Sequence, residues 1–524
     1  MMSPCPPRSG AAPRHDVLRY ALRLSTALAL AMLAAGCMVG PDYKRPEATV
    51  PVAYKEMKGW KPATPADDMP RTDWWTAWND PVLNRLEARV AVDNQTVRAY
   101  EASWRQARAI VAEVRSGLAP SATFNPDITR QHASNNDNVS YEAIANLSWE
   151  IDVWGRIRRQ VESSTAAAQV SAADLANARL SAQADVASYY LQMRYQDSLK
   201  QLLNQTAQAY ERSLTIVRNQ YEAGTAARSD VLTAQTQLLS TRADAIAAES
   251  NRAVYEHALA VLTGTVPSAL DIAPGSLTRR VPKVPVALPS TLLERRPDIA
   301  AAERTMAEQN AQIGVAVAAY YPDINLAGLA GYSSGGINEL LTASNQVWSL
   351  AASGNELLFD GGGRKATVQA AREAYDASVA SYREAVLSAF RDVEDALAQR
   401  RIVTRQIAVQ QQAVTAAREA VTISLNEYAA GTQDYTTVAT AQAAALSNER
   451  TLLNAELNRQ LATVDLIRAL GGGWSTADLP TAREIEATAL PATGAGPAAV
   501  KTSAAPAGAG AAPSAAGAAG AGRS

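Results

Sequence analysis

The chain has 524 residues, with 49 Lys and Arg against 51 Asp and Glu and a formal charge of −2. A balance this even excludes a nucleic-acid binder that works through a strong positive field. Two cysteines and three widely separated histidines (His15, His132 and His257) exclude a disulfide scaffold and a Cys/His zinc site, so neither a metal nor a cofactor is expected.

Residues 1–36 read as a signal peptide. Arg8, Arg14, Arg19 and Arg23 supply a positive n-region, and an apolar stretch follows over 24–33. It is too short for a bilayer core of about 30 Å. Leu33-Ala34-Ala35-Gly36-Cys37 resembles the lipobox of bacterial lipoproteins, whose cysteine is acylated and becomes the mature N-terminus. The alternative is an ordinary signal peptide with an incidental cysteine. Met38 follows Cys37, so the aspartate that retains many such lipoproteins in the inner membrane is absent. No other stretch reaches about 18 consecutive apolar residues. A chain of this kind crosses a membrane only with strands in a closed barrel.

Residues 37–119 hold an N-terminal segment and a first body helix over 82–115. Beyond them the sequence repeats itself. Tyr221-Glu-Ala-Gly224-Thr225 matches Tyr428-Ala-Ala-Gly431-Thr432 at an offset of 207. The same offset pairs Val231 with Val438, Gln235 with Gln442, Asn251-Arg252 with Asn458-Arg459, and Gly264 with Gly471. The chain is a tandem duplication with units of 120–265 and 320–472.

Each unit opens with two segments of strand character. Tyr141, Ala143, Ala145, Leu147, Trp149 and Ile151 share one face at period two. The partner strand is about 120–131, and the second unit repeats the pair over 322–332 and 346–359. A long helix follows each pair. Residues 156–222 are 67 residues without Pro or Gly, about 100 Å of α-helix. Leu199, Leu203, Thr206, Tyr210, Leu214, Val217 and Tyr221 form a coiled-coil-like seam. Gly224 stops the helix and a second one over 229–262 runs back. The second unit gives 364–429, a turn at Gly431 and 435–470, with a seam of Val386, Phe390, Val393 and Leu397. Between the units lie a Pro-punctuated linker and a middle helix from Pro297 to about 319 (together 266–319). The C-terminal segment, 473–524, ends in an Ala/Gly/Pro-rich tail that buries too little to order itself.

Four strands cannot close a barrel, which needs about eight, and open sheet edges are not tolerated in lipid. The strands therefore belong to an oligomer: three chains give twelve strands, four give sixteen. Helices of about 100 Å suit a conduit across an aqueous compartment.

Further motifs point the same way: Val39-Gly40-Pro41-Asp42-Tyr43-Lys44-Arg45-Pro46, Trp74-Trp75, Asn79-Asp80-Pro81, and Leu292-Leu293-Glu294-Arg295-Arg296-Pro297-Asp298-Ile299. Together with the duplication they resemble the OprM/NodT group of TolC-like outer-membrane efflux lipoproteins, from about Cys37 to Trp474. The resemblance implies a mainly α fold with a β-barrel part. A homotrimer would form a 12-stranded barrel in outer-membrane lipid and a long periplasmic α-helical barrel. It also implies a periplasmic adaptor and an inner-membrane resistance-nodulation-division pump as partners, export of drugs and small toxic compounds, and no enzymatic chemistry. The closing end lies at two helix–turn–helix tips, here 221–230 and 428–442. Gly224, Thr225, Arg228, Asp230, Gly431, Thr432, Asp434, Tyr435 and Thr440 are the tip and gate candidates. The family's second tip commonly carries an acidic residue two positions before the Gln of an Ala-Gln pair; here that position is Thr440, and Ala443 stands where a basic partner is expected. Asp230 or Asp434, repeated around a ring, would favour cations. The alternative is a helix cap or a solvated charge.

Other features read plainly. Gly361-Gly362-Gly363-Arg364-Lys365 lacks phosphate-loop spacing and reads as a strand-to-helix turn. Glu150 and Asp152 face a wet lumen or rim. Trp149, Trp154 and Trp348 are either interfacial belt residues or ordinary packing. A protein-secretion conduit, a copper or silver channel and a structural coiled-coil lipoprotein are the competing readings. The strand pairs argue against the last.

Overall fold

The computed structural model describes residues 38–47, 51, 53–57, 73–133, 136–282, 284 and 294–488. All belong to one compact unit, Met1–Ala489. The signal segment, Cys37 and the tail beyond 488 lie outside the described residues.

The elements in chain order are α1 (Pro81–Asp93), α2 (Gln95–Ser116), β1 (Ser121–Ala133), β2 (Asn136–Ile151), α3 (Arg156–Glu222) and α4 (Arg228–Leu262). Then come α5 (Pro297–Ala318), β3 (Asp323–Ser334), β4 (Gln346–Asn355), α6 (Gly363–Ala429), α7 (Tyr435–Ala469) and α8 (Ala482–Thr488). The two long helices, α3 and α6, have 67 residues each, and the return helices α4 and α7 have 35 each. The expected seams are buried from Leu199 to Val217 and from Val386 to Leu397, apart from half-buried Thr206, whereas Tyr221 at the end of the first is exposed.

One expectation is corrected. The first body helix, read as continuous over 82–115, breaks at Asn94, which ends α1 and starts α2. Asn94 has extended backbone, and its side-chain oxygen accepts from the Val97 amide at 3.0 Å. That is N-cap chemistry, which competes with helix continuation without Pro or Gly.

The break has a purpose in the packing. Asn94 Nδ2 donates to the Leu262 carbonyl at 2.8 Å, at the last turn of α4, so α2 and α4 meet end to end. Gly264 (φ +66°) makes this possible, because a Cβ there would lie 2.2 Å from the Asp93 oxygen. The second half repeats the joint. Arg296 donates to the Ala469 carbonyl at 3.2 Å, and a Cβ on Gly471 would lie 1.9 Å from the Arg295 oxygen. Two 22-residue helices, α2 and α5, thus occupy matching places, and each structural repeat starts one helix before 120 and 320. Each long helix is flanked by a pair of short helices stacked end to end. The neighbours run α2–α3–α5–α6 in one half of the bundle and α4–α3–α7–α6 in the other.

The sheet has the simple order β1-β2-β3-β4, all antiparallel, and its outer strands β1 and β4 each keep one free edge. Phe124 pairs with Ala145, Leu147 with Gly328 and Ala330 with Trp348. Directly opposed residues share a face. One face therefore carries Phe124, Ile128, Tyr141, Leu147, Trp149, Leu326, Tyr332, Trp348 and Leu350. The other carries Thr123, Asn125, Asp127, Asn146, Ser148, Glu150, Asn325, Ser349 and Ser353, with Ile144, Leu329 and Val347 as exceptions. On the apolar face Phe124 is 66% exposed, Ile128 69% and Trp348 75%. An exposed, one-sided apolar sheet is what a barrel presents to lipid.

Candidate functional site

The two tips are built alike. At the end of α3, Gly224 takes the left-handed conformation (φ +77°), its amide donates to Tyr221 O, and the Thr225 amide donates to Gln220 O at 2.8 Å. At the end of α6, Gly431 (φ +74°) and Thr432 repeat the pattern onto Tyr428 and Glu427. This is the Schellman arrangement, which needs a residue free of Cβ strain at the glycine. Both threonine hydroxyls donate to the same carbonyls as their amides.

The tips differ in their acids. Asp434 is the N-cap of α7, and its carboxylate accepts from the Thr437 amide at 3.0 Å and the Thr437 hydroxyl at 3.1 Å. Its equivalent in the first repeat, Ala227, caps nothing. Asp230 sits in the first turn of α4, half-buried, with a 3.4 Å contact from Ser229 Oγ. Its carboxylate stands near the aromatic pair of the second tip. Tyr428 and Tyr435 meet edge to face at 5.4 Å between ring centroids, and Tyr435 is fully buried. Burial first, then Tyr428, Tyr210 and the Asp230 charge, push the Tyr435 hydroxyl up to about 12. Burial and the Asp230 charge also raise that of Tyr428. The Tyr428 hydroxyl is buried without a hydrogen-bond partner among the described residues.

Arg228 is exposed. Thr440 is also exposed, and its hydroxyl donates to Thr436 O within its own helix at 2.8 Å. Asp230 thus acts on Tyr435 through its charge, whereas Arg228 and Thr440 are exposed. Three participants lie outside the gate candidates, Tyr210 having been read only as a seam residue. Tyr210 Oη donates to Gln442 O at 3.1 Å, and Gln442 Nε2 donates to Ser213 Oγ at 2.9 Å. These buried bonds tie α3 to α7 across the seam between the two hairpins. The pairing of Gln235 with Gln442 in the repeat marked the position without marking its partner.

The other end of the bundle holds residues 38–42. The Val39 amide donates to Trp154 O at 3.1 Å, and Met38 packs against Gly155, where a Cβ would meet its side chain at 2.7 Å. Arg159 is 1% exposed; it donates to Val39 O and Gly40 O, and pairs with Asp42 at 2.9 Å and Glu162 at 2.8 Å. Residues 38–42 are therefore held where β2 passes into α3. Asp152 and Asp360 cap the long helices beside left-handed Gly155 and Gly362, so the glycine run 361–363 is a strand-to-helix turn. Glu150 pairs with Arg156. Trp154 stacks on Tyr321 at 4.7 Å and donates to Pro322 O. No group of acidic, His or Cys side chains among the described residues has the arrangement of a metal site.

The family described as "Outer membrane efflux protein" matches residues 88–265 and 288–472. The chain belongs to this family. It is an outer-membrane efflux channel protein and not an enzyme. The two matches begin before α2 and α5, as the doubled end-to-end joints require. Outer membrane protein OprJ of Pseudomonas aeruginosa is 30% identical over 463 residues, covering 86% of this chain and 95% of that protein. The toluene efflux pump outer membrane protein TtgC of Pseudomonas putida is 29% identical, covering 85% of this chain and 94% of its own. The solved outer-membrane channel OprN aligns with a TM-score of 0.78 at 30% identity, over 84% of this chain and all of that one. The open state of the Neisseria gonorrhoeae MtrE channel aligns at 0.76 and 28% identity, over 85% and 100%.

Proposed function

We propose that three copies of this efflux protein close into a 12-stranded outer-membrane barrel continued by a periplasmic helical barrel. The assembly is a passive conduit for small toxic compounds and antibiotics. One observation carries this reading: every layer ends in two unlike free edges. The sheet ends in β1 and β4, and the helices end in α2 with α4 on one side and α6 on the other. Leu232, Leu239, Ile246, Val254 and Val261 form an exposed apolar stripe along α4, and Leu387, Ile402, Val409 and Ile423 one along α6. Heptad-like spacing of this kind fits a helix partner, and unlike edges joined head to tail close into a ring. Twelve strands follow from four per chain.

Acylation at Cys37 fits the anchoring of residues 38–42 beside the strand ends. A periplasmic adaptor and an inner-membrane resistance-nodulation-division pump would engage the tips, where Asp230 forms a threefold acidic ring and Asp434 serves as a cap. The test is a purified channel in planar bilayers together with a deletion strain. Trimer mass, ion conductance and restored resistance to several unrelated compounds are expected. A monomer without conductance, or a strain with unchanged susceptibility while the gene is expressed, would overturn the reading.

A further inference from the structure

Glu87 lies on α1, is 0% exposed, and neither carboxyl oxygen has a hydrogen-bond partner among the described residues. Such a group is costly to bury unless something meets it. It lines a cavity of about 760 Å³ between the tryptophan turn at 74–78, α1, α2, α3 and the segment 471–480. The wall holds two more unpartnered buried atoms, the acceptor Asn84 Oδ1 and the donor Trp104 Nε1. The indoles of Trp75, Trp104 and Trp474 supply aromatic surface, and Ala88, Ala176 and Leu175 supply aliphatic surface. The other charged groups facing the cavity are Asp73, Arg179 and Asp478, so acids outnumber bases.

From this geometry we infer that the cavity is a binding site for a hydrophobic organic amine, its ammonium held by Glu87 and Asn84 once their buried side chains turn towards the cavity, and its apolar part against the tryptophans. The volume suits a small organic molecule. Indole faces beside a carboxylate are a recognition environment for organic cations. The site stands apart from the tips and the strands, so the inference does not rest on the gate assignments. Burial alone holds the Glu87 carboxyl well above the usual carboxylate range. Burial therefore favours the protonated form of this carboxyl. Binding the ammonium makes the carboxyl give its proton to solvent while the amine keeps its own.

The test is calorimetric titration of the full-length channel in detergent with 2-phenylethylammonium chloride, at several pH values and in buffers of different ionisation heat. Saturable binding is expected at one site per chain, with proton release and affinity rising with pH. 2-Phenylethanol should bind at least tenfold more weakly. Glu87→Gln keeps the shape of the neutral acid and should lose at least tenfold in affinity. Ala176→Phe, which takes up part of the cavity from α3, should weaken binding at least tenfold. Equal binding to the Glu87→Gln channel, equal binding of the alcohol, or no binding to a folded and conducting channel would each overturn the inference.

Discussion

The buried bonds between the hairpins set a measurable barrier to parting them. Tyr210 and Ser213 on α3 meet Gln442 on α7 within a cluster that includes Leu214, Val217, Tyr428, Tyr435 and Val438. If the tip opens by parting this seam, both bonds break. A neutral buried hydrogen bond contributes about 1 kcal/mol net, so the pair contributes about 2 kcal/mol per protomer. That is roughly a 30-fold change in the opening equilibrium. Tyr210→Phe combined with Gln442→Leu keeps most of the packing volume and removes the side-chain bonds. In planar bilayers the double variant should raise the open fraction by about 30-fold when protomers act singly. The shift should be larger when three open together. Tyr210→Phe alone should give about one-fifth to one-sixth of the 30-fold shift, from a single bond of about 1 kcal/mol. Unchanged open probability in a correctly assembled double variant would refute the reasoning, because it would mean that the seam stays shut while the channel conducts.

The remaining predictions concern the acids, the tyrosine and the helix joints. Asp230→Asn should reduce cation selectivity in bilayer recordings. Asp434→Ala should leave selectivity unchanged and cost about 1 kcal/mol of local stability, read as faster amide exchange at 435–437. The Tyr435 hydroxyl is raised from an ordinary value near 10 to about 12. The folded tip therefore holds this proton more tightly than the unfolded chain. Its stabilisation is complete below about pH 10 and is lost as pH rises towards 12. Tyr435→Phe should flatten that loss in pH-dependent exchange or thermal unfolding. Asn94→Ala removes a cap and strands the Leu262 carbonyl. Exchange at 95–97 and 263–266 should quicken by a factor corresponding to about 2–4 kcal/mol, and unchanged exchange would show that the joint does not depend on Asn94.

Much of this architecture was legible because it is written in local signals. A run without Pro or Gly between Gly155 and Gly224 reported α3 to within a residue, and the 207-residue offset located its counterpart α6. Period-two alternation identified β2 and the face that Tyr141 and Trp149 share. The break at Asn94 left no mark of this sort. Asparagine is an ordinary helix resident until its side chain captures the Val97 amide, and the reason to do so is a carbonyl 168 residues away. Tyr221 and Tyr428 show the same limit. They match in the repeat, yet one is 44% exposed and the other 7%. The difference lies in their partners: Tyr435 packs on Tyr428, whereas its repeat counterpart is Arg228.

Duplication therefore transmitted the frame and left the function in the departures from it. Both repeats keep the Schellman glycine, the capped long helix and the end-to-end joint, because each is needed to fold a hairpin of this length. Among the places where the repeats differ is the tip. Asp434 is replaced by Ala227, Thr437 by Asp230 and Tyr435 by Arg228 at the common offset. A tip that served only to reverse the chain would have no need of such divergence. In the proposed trimer, unlike tips would give six ends of two kinds. One kind presents a carboxylate in the first turn of its helix and the other a buried tyrosine pair within reach of that carboxylate. In that assembly the closing contact would be made between hairpins of one chain as well as between chains. The seam bonds of Tyr210 and Gln442, inside a single protomer, would then bear on an opening that the proposed ring performs.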